Sequence, residues 1–245
     1  MDIVSAVILG VVQGLTEFLP VSSSGHLVLF QELLGFEGPR ALFSVIVHLA
    51  TSAAVVVFFR ERLVALDRNL IALLVIGSIP AGIVGLLLEP VVDVLFTSTR
   101  LVGGALLLTS AIVYFVDAPF ARRSRLSRLD AVIMGIAQAI AIVPGISRSG
   151  ITILAGTGSG VDRKTVAEFS FLLSLPAVVG ANVLKVSNGG LPDANALVPL
   201  ASGFIAAFIT GLLAIAIVMR ILVERRFKVF SIYTLTMGIA ALILG

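Results

Sequence analysis

The sequence contains no cysteine and few charged residues. Of its 245 residues, 13% are Asp, Glu, Lys or Arg, whereas 58% are hydrophobic. A chain without cysteine forms no disulfide and performs no thiol chemistry. The absence of cysteine therefore does not indicate a cellular compartment. So small a charged fraction excludes a water-soluble globular domain, in which about a quarter of the residues are charged. The composition therefore predicts an integral membrane protein.

Several stretches of the chain carry no charged side chain at all. A helix needs about 20 apolar residues to cross the hydrocarbon core of a bilayer, so a slightly shorter stretch needs a few flanking residues. Six crossings are predicted, at residues 41–59, 69–88, 101–116, 169–184, 196–219 and 229–245. The N-terminus carries Asp2 and no basic region, which argues against a cleaved signal peptide. The first apolar segment is therefore expected to belong to the mature fold.

A short motif occurs twice, at residues 10–26 and 135–150. A shift of 125 places superposes Gly10, Gln13, Ser22, Ser24 and Gly25 on Gly135, Gln138, Ser147, Ser149 and Gly150. A shift of 126 places continues the match into later segments, with Gly77 on Gly203 and Gly85 on Gly211. The repetition predicts two homologous halves, residues 1–117 and 118–245, that together form one membrane domain.

Each motif interrupts an apolar segment. Pro20 and Gly25 flank the serines of the first break, and both residue types weaken a helix. Irregular backbone at membrane depth persists only where it is buried in protein or lines a water-filled cavity. The pattern predicts an all-α membrane protein in which each half is a re-entrant helix pair followed by three transmembrane helices. An odd number of crossings per half makes the two halves an inverted repeat, which commonly places a polar site near the bilayer midplane.

The basic residues are distributed unequally between the two faces of this topology. One face receives the loops 60–68, 117–130, 161–165 and 220–228. These loops hold thirteen cations: Arg60, Arg62, Arg68, Arg122, Arg123, Arg125, Arg128, Arg163, Lys164, Arg220, Arg225, Arg226 and Lys228. The opposite face holds three: Arg40, Arg100 and Lys185. The positive-inside rule predicts a multi-pass protein of the cell (inner, cytoplasmic) membrane with both termini outside, and it explains the net charge of +3 without nucleic acid.

The second break offers groups that bind anions. The N-terminus of a helix presents free N–H groups and a partial positive charge. Arg148 adds a permanent charge and a planar fork that suits phosphate oxygens, and a guanidinium inside a membrane segment requires a partner. For the serines alone, simple helix capping is the alternative. The candidate phosphate-binding residues of this break are Gly145, Ser147, Arg148, Ser149 and Thr152.

The first break adds acid–base groups to the serines Ser22, Ser23 and Ser24. Glu17 lies one turn after Gln13 on the same helix face, and Arg148 is its expected counter-ion. A purely structural ion pair between the halves is the alternative. His26 follows the serines near Glu17, so it is interpreted as a proton-exchanging residue, with capping of backbone carbonyls as the alternative.

Three further polar residues of the apolar segments are interpreted as structural. His48 is predicted to be a packing residue with satisfied hydrogen bonds, and Asn182 to form an interhelical hydrogen bond. Glu168 opens a crossing, where an acid favours the helix dipole.

Residues 13–26 and 144–150 resemble the two signatures of the undecaprenyl-diphosphate phosphatases, the bacitracin-resistance protein family, and the hydropathy pattern is similar over nearly the whole chain. The resemblance implies a membrane hydrolase that removes the terminal phosphate of a polyprenyl diphosphate. The reaction would regenerate the lipid carrier of peptidoglycan and other envelope glycans. The resemblance also implies a divalent cation, Mg²⁺ or Ca²⁺, although the sequence contains no ligand cluster that demands one.

The same resemblance implies catalytic roles for Glu17, Ser23, His26 and Arg148, and the family has either Glu or Gln at the position of Gln13. The prenyl tail is expected among the apolar helices, beside bilayer lipid. The nucleophile is left open between Ser23, His26 and water. A transporter or flippase of a phosphorylated polyprenyl lipid is the rival function, because inverted halves with midplane breaks are typical of transporters. A homodimer is compatible with the sequence.

Overall fold

A computed structural model describes residues 2–36, 40–95, 98–117, 123–189, 196–223 and 226–244. Within these ranges the secondary structure is entirely helical apart from one isolated backbone bridge. The helices are α1 Ile3–Phe18, α2 Ser23–Leu33, α3 Arg40–Phe58, α4 Arg60–Val64, α5 Arg68–Leu95, α6 Thr99–Val116, α7 Arg128–Ile140, α8 Arg148–Gly158, α9 Arg163–Gly189, α10 Leu197–Val223 and α11 Lys228–Leu244. The boundary predicted after residue 117, together with Arg122 and Arg225, lies outside the described residues.

The six predicted crossings are all helical, which confirms the all-α membrane fold. In the described ranges, four helices are long and apolar enough to span a bilayer, over Arg68–Leu88, Thr99–Val116, Arg163–Val183 and Leu197–Leu222. Three shorter apolar helices accompany them, over Ile3–Phe18, Leu42–Phe58 and Lys228–Ile243. The chain is therefore a multi-pass membrane protein.

The two predicted breaks are also present. The first separates α1 from α2 at residues 19–22, and the second separates α7 from α8 at residues 141–147. Ser22 accepts a hydrogen bond from the backbone N–H of Gly25, and Ser147 accepts one from that of Gly150. Both serines are N-cap residues, so each break ends where a serine starts a new helix.

The second helix pair begins and ends at the same place. The backbone N–H of Arg123 donates to the Gly160 carbonyl at 3.0 Å, and that of Asp162 donates to the Arg123 carbonyl at 2.8 Å. The segment that precedes α7 is thereby tied to the segment that follows α8. An apolar pair whose two ends meet has the connectivity of a re-entrant hairpin.

The first helix of each pair packs against a long helix from the other half of the chain. Gly10 of α1 lies on Gly203 of α10, and Gly135 of α7 lies on Gly77 of α5, so closely that a Cβ on Gly10 or Gly135 would overlap the facing backbone. Backbones approach this closely only where both side chains are small. The contact is reciprocal, because Gly10 matches Gly135 and Gly77 matches Gly203 in the repeat.

Later contacts give the direction of α1 and α7. Gly14 lies against Gly211 of α10, so α1 and α10 run in parallel, and Ile142 lies nearest Gly85, so the chain through α7 runs parallel to α5. The segment after α10 lies on the side of the bundle where α7 starts. The Lys228 N–H donates to Asp117 at 3.0 Å, and Arg163 donates to the adjacent Val116 carbonyl at 3.3 Å. The residue before Arg163, Asp162, is bonded to Arg123, which in turn donates to Asp130 of α7 at 2.7 Å. Helices α1 and α7 therefore start at opposite ends of the helix bundle.

The buried apolar side chains form two clusters. The larger contains Phe18, Val116, Phe171, Leu222 and Phe227 among others, and the smaller contains Ala6, Leu27, Phe36, Phe43 and Leu200. The larger cluster reaches the end of α10 and the smaller reaches its beginning. The polar residues of the breaks are thus enclosed by apolar packing from both faces.

Candidate active site

The centre of the site is an ion pair between the two breaks. Arg148, the first residue of α8, donates from one terminal guanidinium nitrogen to Glu17 Oε1 at 2.6 Å. Glu17, near the end of α1, is 8% exposed, and 16% of the Arg148 side chain is exposed. The structure therefore contains the predicted pair, although the two residues lie 131 positions apart in the sequence.

The second oxygen of the Glu17 carboxylate accepts two more hydrogen bonds. The Ser23 hydroxyl donates at 2.5 Å and the Gln13 amide at 2.8 Å. Gln13 reaches Glu17 because residues four apart share one face of a helix. The amide oxygen of Gln13 is buried and has no hydrogen-bond partner among the described residues. Three donors from α1, α2 and α8 thus hold one carboxylate.

Backbone contacts join the two breaks directly. The Ser149 hydroxyl donates to the Leu19 carbonyl at 3.1 Å, and a Cβ placed on Gly25 would lie 3.2 Å from the Cα of Gly145. Ser24 of the first break and Ser149 of the second also pair with the capping serine of their own helix, each at 3.3 Å. The N-terminal ends of α2 and α8 are consequently neighbours.

The turn of the second break is fixed by a threonine from another helix. Thr109 of α6 donates its hydroxyl to the Gly145 carbonyl at 2.7 Å and accepts the Ser147 N–H at 3.0 Å. Gly145 has φ of +97°, which favours glycine, and an added Cβ would lie 2.6 Å from Ala105. Both the backbone angle and the packing therefore require glycine just before Arg148.

Thr152 is directed away from the first break. Its hydroxyl bonds to the Arg148 carbonyl at 2.7 Å and to the Ser170 hydroxyl of α9 at 2.6 Å. The Ser170 carbonyl also accepts from the Arg148 guanidinium at 3.4 Å. Thr152 and Ser170 therefore both contact Arg148, and the Thr152 hydroxyl is already hydrogen-bonded to protein groups.

His26 does not contact Glu17, contrary to the predicted neighbourhood. Its Nδ1 lies 2.8 Å from the Ser22 carbonyl, and its Nε2 lies 2.8 Å from the hydroxyl of Tyr233 on α11. The two rings also stack, with centroids 5.5 Å apart. Because a carbonyl only accepts, Nδ1 carries a proton, and in the neutral ring Nε2 accepts a hydrogen bond from the Tyr233 hydroxyl. The Tyr233 contact had no signal in the sequence beyond a tyrosine within an apolar run.

His48 lies at the site, which the sequence did not indicate. As predicted, it is satisfied locally, since Nδ1 lies 2.7 Å from the Ser44 carbonyl. However, its Nε2 lies 3.7 Å from Glu17 Oε2. A histidine within the stretch 41–59, which contains no Asp, Glu, Lys or Arg, was the available signal, because such residues are by default functional candidates.

Fold and site together define a class: a multi-pass membrane protein with a charged and polar centre buried where two helix breaks meet. The centre contains a paired carboxylate and guanidinium, a serine bonded to that carboxylate and two adjacent helix N-termini. Such groups suit proton transfer beside bound phosphate.

Comparison with known proteins places the chain within one family of this class. The family described as bacitracin resistance protein BacA matches residues 6–240, so the chain belongs to it. A protein of Methanosphaera stadtmanae named undecaprenyl-diphosphatase is 38% identical, over 100% of this chain and 99% of its own length. Proteins of the same name from Desulfosudis oleivorans and Carboxydothermus hydrogenoformans are 40% and 38% identical over 100% of this chain and 99% and 98% of their own lengths. The resemblance seen in the two motifs is confirmed.

Proposed function

We propose that this protein is a membrane phosphatase that hydrolyses an undecaprenyl-type polyprenyl diphosphate to the monophosphate and inorganic phosphate. The observation that carries the proposal is the contact of Arg148 and Ser23 with opposite oxygens of the Glu17 carboxylate. The full-length relatives named undecaprenyl-diphosphatase support the choice of substrate.

Ser23 is the nucleophile that this geometry favours. Its hydroxyl already donates to Glu17, as a serine activated by a general base does. The Ser23 Oγ forms a bond to the terminal phosphorus while the bond from that phosphorus to the bridging oxygen breaks. The proton passes through Glu17 to the departing monophosphate. Water then cleaves the phosphoserine, with Glu17 as its base, and releases inorganic phosphate.

Two other nucleophiles fit less well. His26 has both ring nitrogens engaged, by the Ser22 carbonyl and the Tyr233 hydroxyl. Direct attack by a water held on Glu17 uses the same base and is the remaining alternative. In both schemes His26 serves as a proton-exchanging residue only after Tyr233 releases its Nε2.

Arg148 and the two helix N-termini are the proposed phosphate-binding groups. Stabilisation of charge on a transferring phosphoryl group by such fixed donors is the main catalytic term in phosphoryl transfer. The binding residues around them are Gln13, Ser22, Ser24, Gly145, Ser147, Ser149 and Thr152. Among these, Ser22 and Ser147 act through the helix ends that they cap, and Thr152 acts through Arg148.

The divalent cation implied by the family has no resident protein site among the described residues. No group of three or more His, Asp or Glu side chains comes together there. Glu17 is the carboxylate of the centre, and both its oxygens already accept from protein donors. A resident cation does not fit this arrangement, so no step is derived through it. We propose instead that any cation requirement reflects a complex with the diphosphate, since Mg²⁺ often binds through substrate phosphates.

The two halves, residues 1–117 and 118–245, are proposed to be an inverted repeat in the cytoplasmic membrane. The start of α1 and α7 at opposite ends of the helix bundle supports this arrangement, as does the reciprocal packing of Gly10 on Gly203 and Gly135 on Gly77. The excess of cations in one set of loops supports termini on the outer side. The prenyl tail then lies among the apolar helices, and the reaction returns the lipid carrier to envelope synthesis, which opposes bacitracin.

A transporter or flippase function is not favoured. The relatives are named for hydrolysis, and a serine held on a buried carboxylate is chemistry that carriage of an anion does not need. Release of phosphate in detergent, where there is no second compartment, separates the two functions.

The test is phosphate release from a long-chain polyprenyl diphosphate by the purified full-length protein in detergent. Arg148→Ala is expected to lose at least ~100-fold, the scale of an essential electrostatic group. Arg128→Ala, which removes an exposed arginine at the start of α7, is the matched control and should retain wild-type activity. A chelator arm tests the cation requirement. Full activity in a folded Arg148→Ala protein would refute the proposed site.

A further inference from the structure

His48 stands in an unusual position relative to Glu17. The residue lies in the middle of α3, with its Nδ1 2.7 Å from the Ser44 carbonyl of its own helix. Its Nε2 lies 3.7 Å from Glu17 Oε2, the oxygen opposite to the one that Arg148 holds. The His48 side chain is 23% exposed and Glu17 is buried. An imidazole therefore faces the catalytic carboxylate from a third helix.

The hydrogen bond to Ser44 fixes one ring proton of His48. The Ser44 carbonyl only accepts, so Nδ1 of His48 carries a hydrogen. A neutral His48 would then have a bare lone pair on Nε2, directed at a carboxylate that also only accepts. Two acceptors facing each other across 3.7 Å in a buried site repel. A second proton on Nε2 turns the repulsion into an ion pair.

Other charged groups around α3 do not explain the arrangement. The helix packs mainly against α1, α4, α9 and α10. The charged residues of those helices are Glu17, Arg60, Glu61, Arg62, Arg163, Lys164, Glu168, Lys185 and Arg220. In the described part of the chain, Glu17 is the acid that forms an ion pair with His48, while Glu61 pairs with Arg60.

A second cation at Glu17 solves a problem that the proposed reaction raises. Arg148 is bonded to Glu17 in this state, yet it is the group that must hold the phosphate. When the guanidinium turns to the substrate, the buried carboxylate loses its cation, and an unpaired buried charge is costly. A protonated His48 remains on the other oxygen and keeps Glu17 ionised and in place.

We propose that His48 is a positioning residue for Glu17, whose protonated imidazole holds the carboxylate while Arg148 engages the substrate. The inference rests on the proposed phosphatase function. It concerns a residue that does not itself touch the phosphate in this scheme. Its consequences are therefore sought in protonation state and in the pH dependence of turnover.

The protonation state can be measured directly, because the chain contains only two histidines. In ¹⁵N-histidine-labelled protein at neutral pH, His48 is expected to show two protonated ring nitrogens and His26 one. Loss of the His26 signals in His26→Gln assigns them. Glu17→Gln removes the facing charge and should leave His48 singly protonated under the same conditions. A singly protonated His48 in the wild type would overturn the proposal.

The kinetic arm compares His48→Gln and His48→Leu with the wild type. Gln keeps an N–H donor but cannot take up a proton, whereas Leu removes both. We expect kcat to fall at least ~10-fold in His48→Leu and less in His48→Gln, a modest electrostatic effect with KM little changed. The wild type should lose activity at the pH where His48 gives up its second ring proton, because Glu17 then loses this cation. That loss should be absent in His48→Gln.

The control is Thr51→Val, one turn along α3, whose hydroxyl bonds only within its own helix. It should keep the wild-type rate and pH profile. Wild-type rate and pH profile in both His48 variants would overturn the inference while leaving the phosphatase proposal intact. Failure of the wild type to release phosphate would instead refute the phosphatase proposal, and the NMR measurement would still decide the protonation of His48.

Discussion

The two breaks share one construction and differ in charge. In each, a serine, Ser22 or Ser147, caps the new helix by accepting the N–H three residues later, at 3.4 and 3.1 Å. In each, that serine also lies 3.3 Å from the hydroxyl of the serine two residues on. The same local sequence therefore builds the same capping hydrogen bonds twice, one set at the start of each new helix.

The charged residues are where the copies diverge. A shift of 125 places brings Glu17 onto Ile142, Ser23 onto Arg148 and His26 onto Ile151. The first break holds the acid and the second holds the cation, and both Ser23 and Arg148 bond to the same carboxylate. A single centre with both an acid and a cation forms because equivalent positions of the two breaks carry different side chains.

The breaks also reverse the chain differently. The second uses Gly145, at φ of +97°, two residues before its cap. The first has Pro20 at the equivalent place, where the ring fixes φ near about −65°. The left-handed angle falls instead on the cap itself, since Ser22 has φ of +68°. A non-glycine residue rarely adopts this conformation, and such strain concentrates at functional sites.

The largest expected effect comes from removing the acid that only the first break carries. Glu17→Ala should reduce phosphate release at least ~100-fold, because it removes both the proposed base and the partner of Arg148. Ile142→Ala, the same truncation at the equivalent position of the second break, should retain activity within about 2-fold of wild type, since Ile142 contributes no proton-transfer group. Equal losses in both variants would show that the breaks do not differ in chemistry.

An intermediate effect is expected from the threonine that clamps only the second break. Thr109→Val keeps the shape of the side chain but leaves the Gly145 carbonyl and the Ser147 N–H without this partner. A buried group left unsatisfied costs about 1–3 kcal/mol, so the thermal midpoint in detergent should fall. Phosphate release should drop by roughly 10-fold, because Arg148 follows directly on the turn.

Thr157→Val is the matched control for that variant. Its hydroxyl is buried but bonds only to carbonyls of its own helix, which are shared with the helix ladder. A midpoint and a rate in Thr109→Val that match those of Thr157→Val would contradict a special role for the clamp.

Local signals in the sequence predicted the scaffold and the ion pair. The clusters of proline, glycine and serine at residues 20–25 and 144–150 marked the two breaks, because these residue types act on the backbone of their own segment. Glu17 and Arg148 were paired by the cost of an isolated charge in lipid, which does not depend on knowing the packing. The helices of the six crossings followed from the lack of charge alone.

Contacts set by helix rotation could not be predicted in the same way. His48, Tyr233 and Thr109 lie in helices that are apolar nearly all round, so periodicity does not show which face meets the site. Their partners are fixed by close packing between helices distant in sequence. His26 was assigned to Glu17 because it is near in the sequence, whereas the start of α2 turns its ring toward Tyr233.

The smallest effect, a change in thermal stability, is expected from substitutions at the starts of α1 and α7. Helix α1 begins with one bond from the Ser5 N–H to Asp2, whereas Asp130 of α7 accepts bonds from Ser127 and two from Arg123, each at 2.7 Å. Burial alone would raise the pKa of Asp130, but the hydrogen bonds from Arg123 and Ser127 outweigh it and lower the pKa to about 2. This carboxylate therefore stabilises the fold when it is ionised.

The sign of the pH dependence follows from that depressed pKa. The stabilisation is complete above the ordinary carboxyl value of 3.8 and is lost as pH falls from there toward about 2. The thermal midpoint of the wild type should exceed that of Asp130→Asn by a few degrees at pH 6, and the gap should narrow as pH falls below about 4. Asp2→Asn, at the simpler start of α1, should lower the midpoint less at pH 6. A gap for Asp130→Asn that stays constant down to pH 3 would mean that the two helix starts do not differ in their electrostatics.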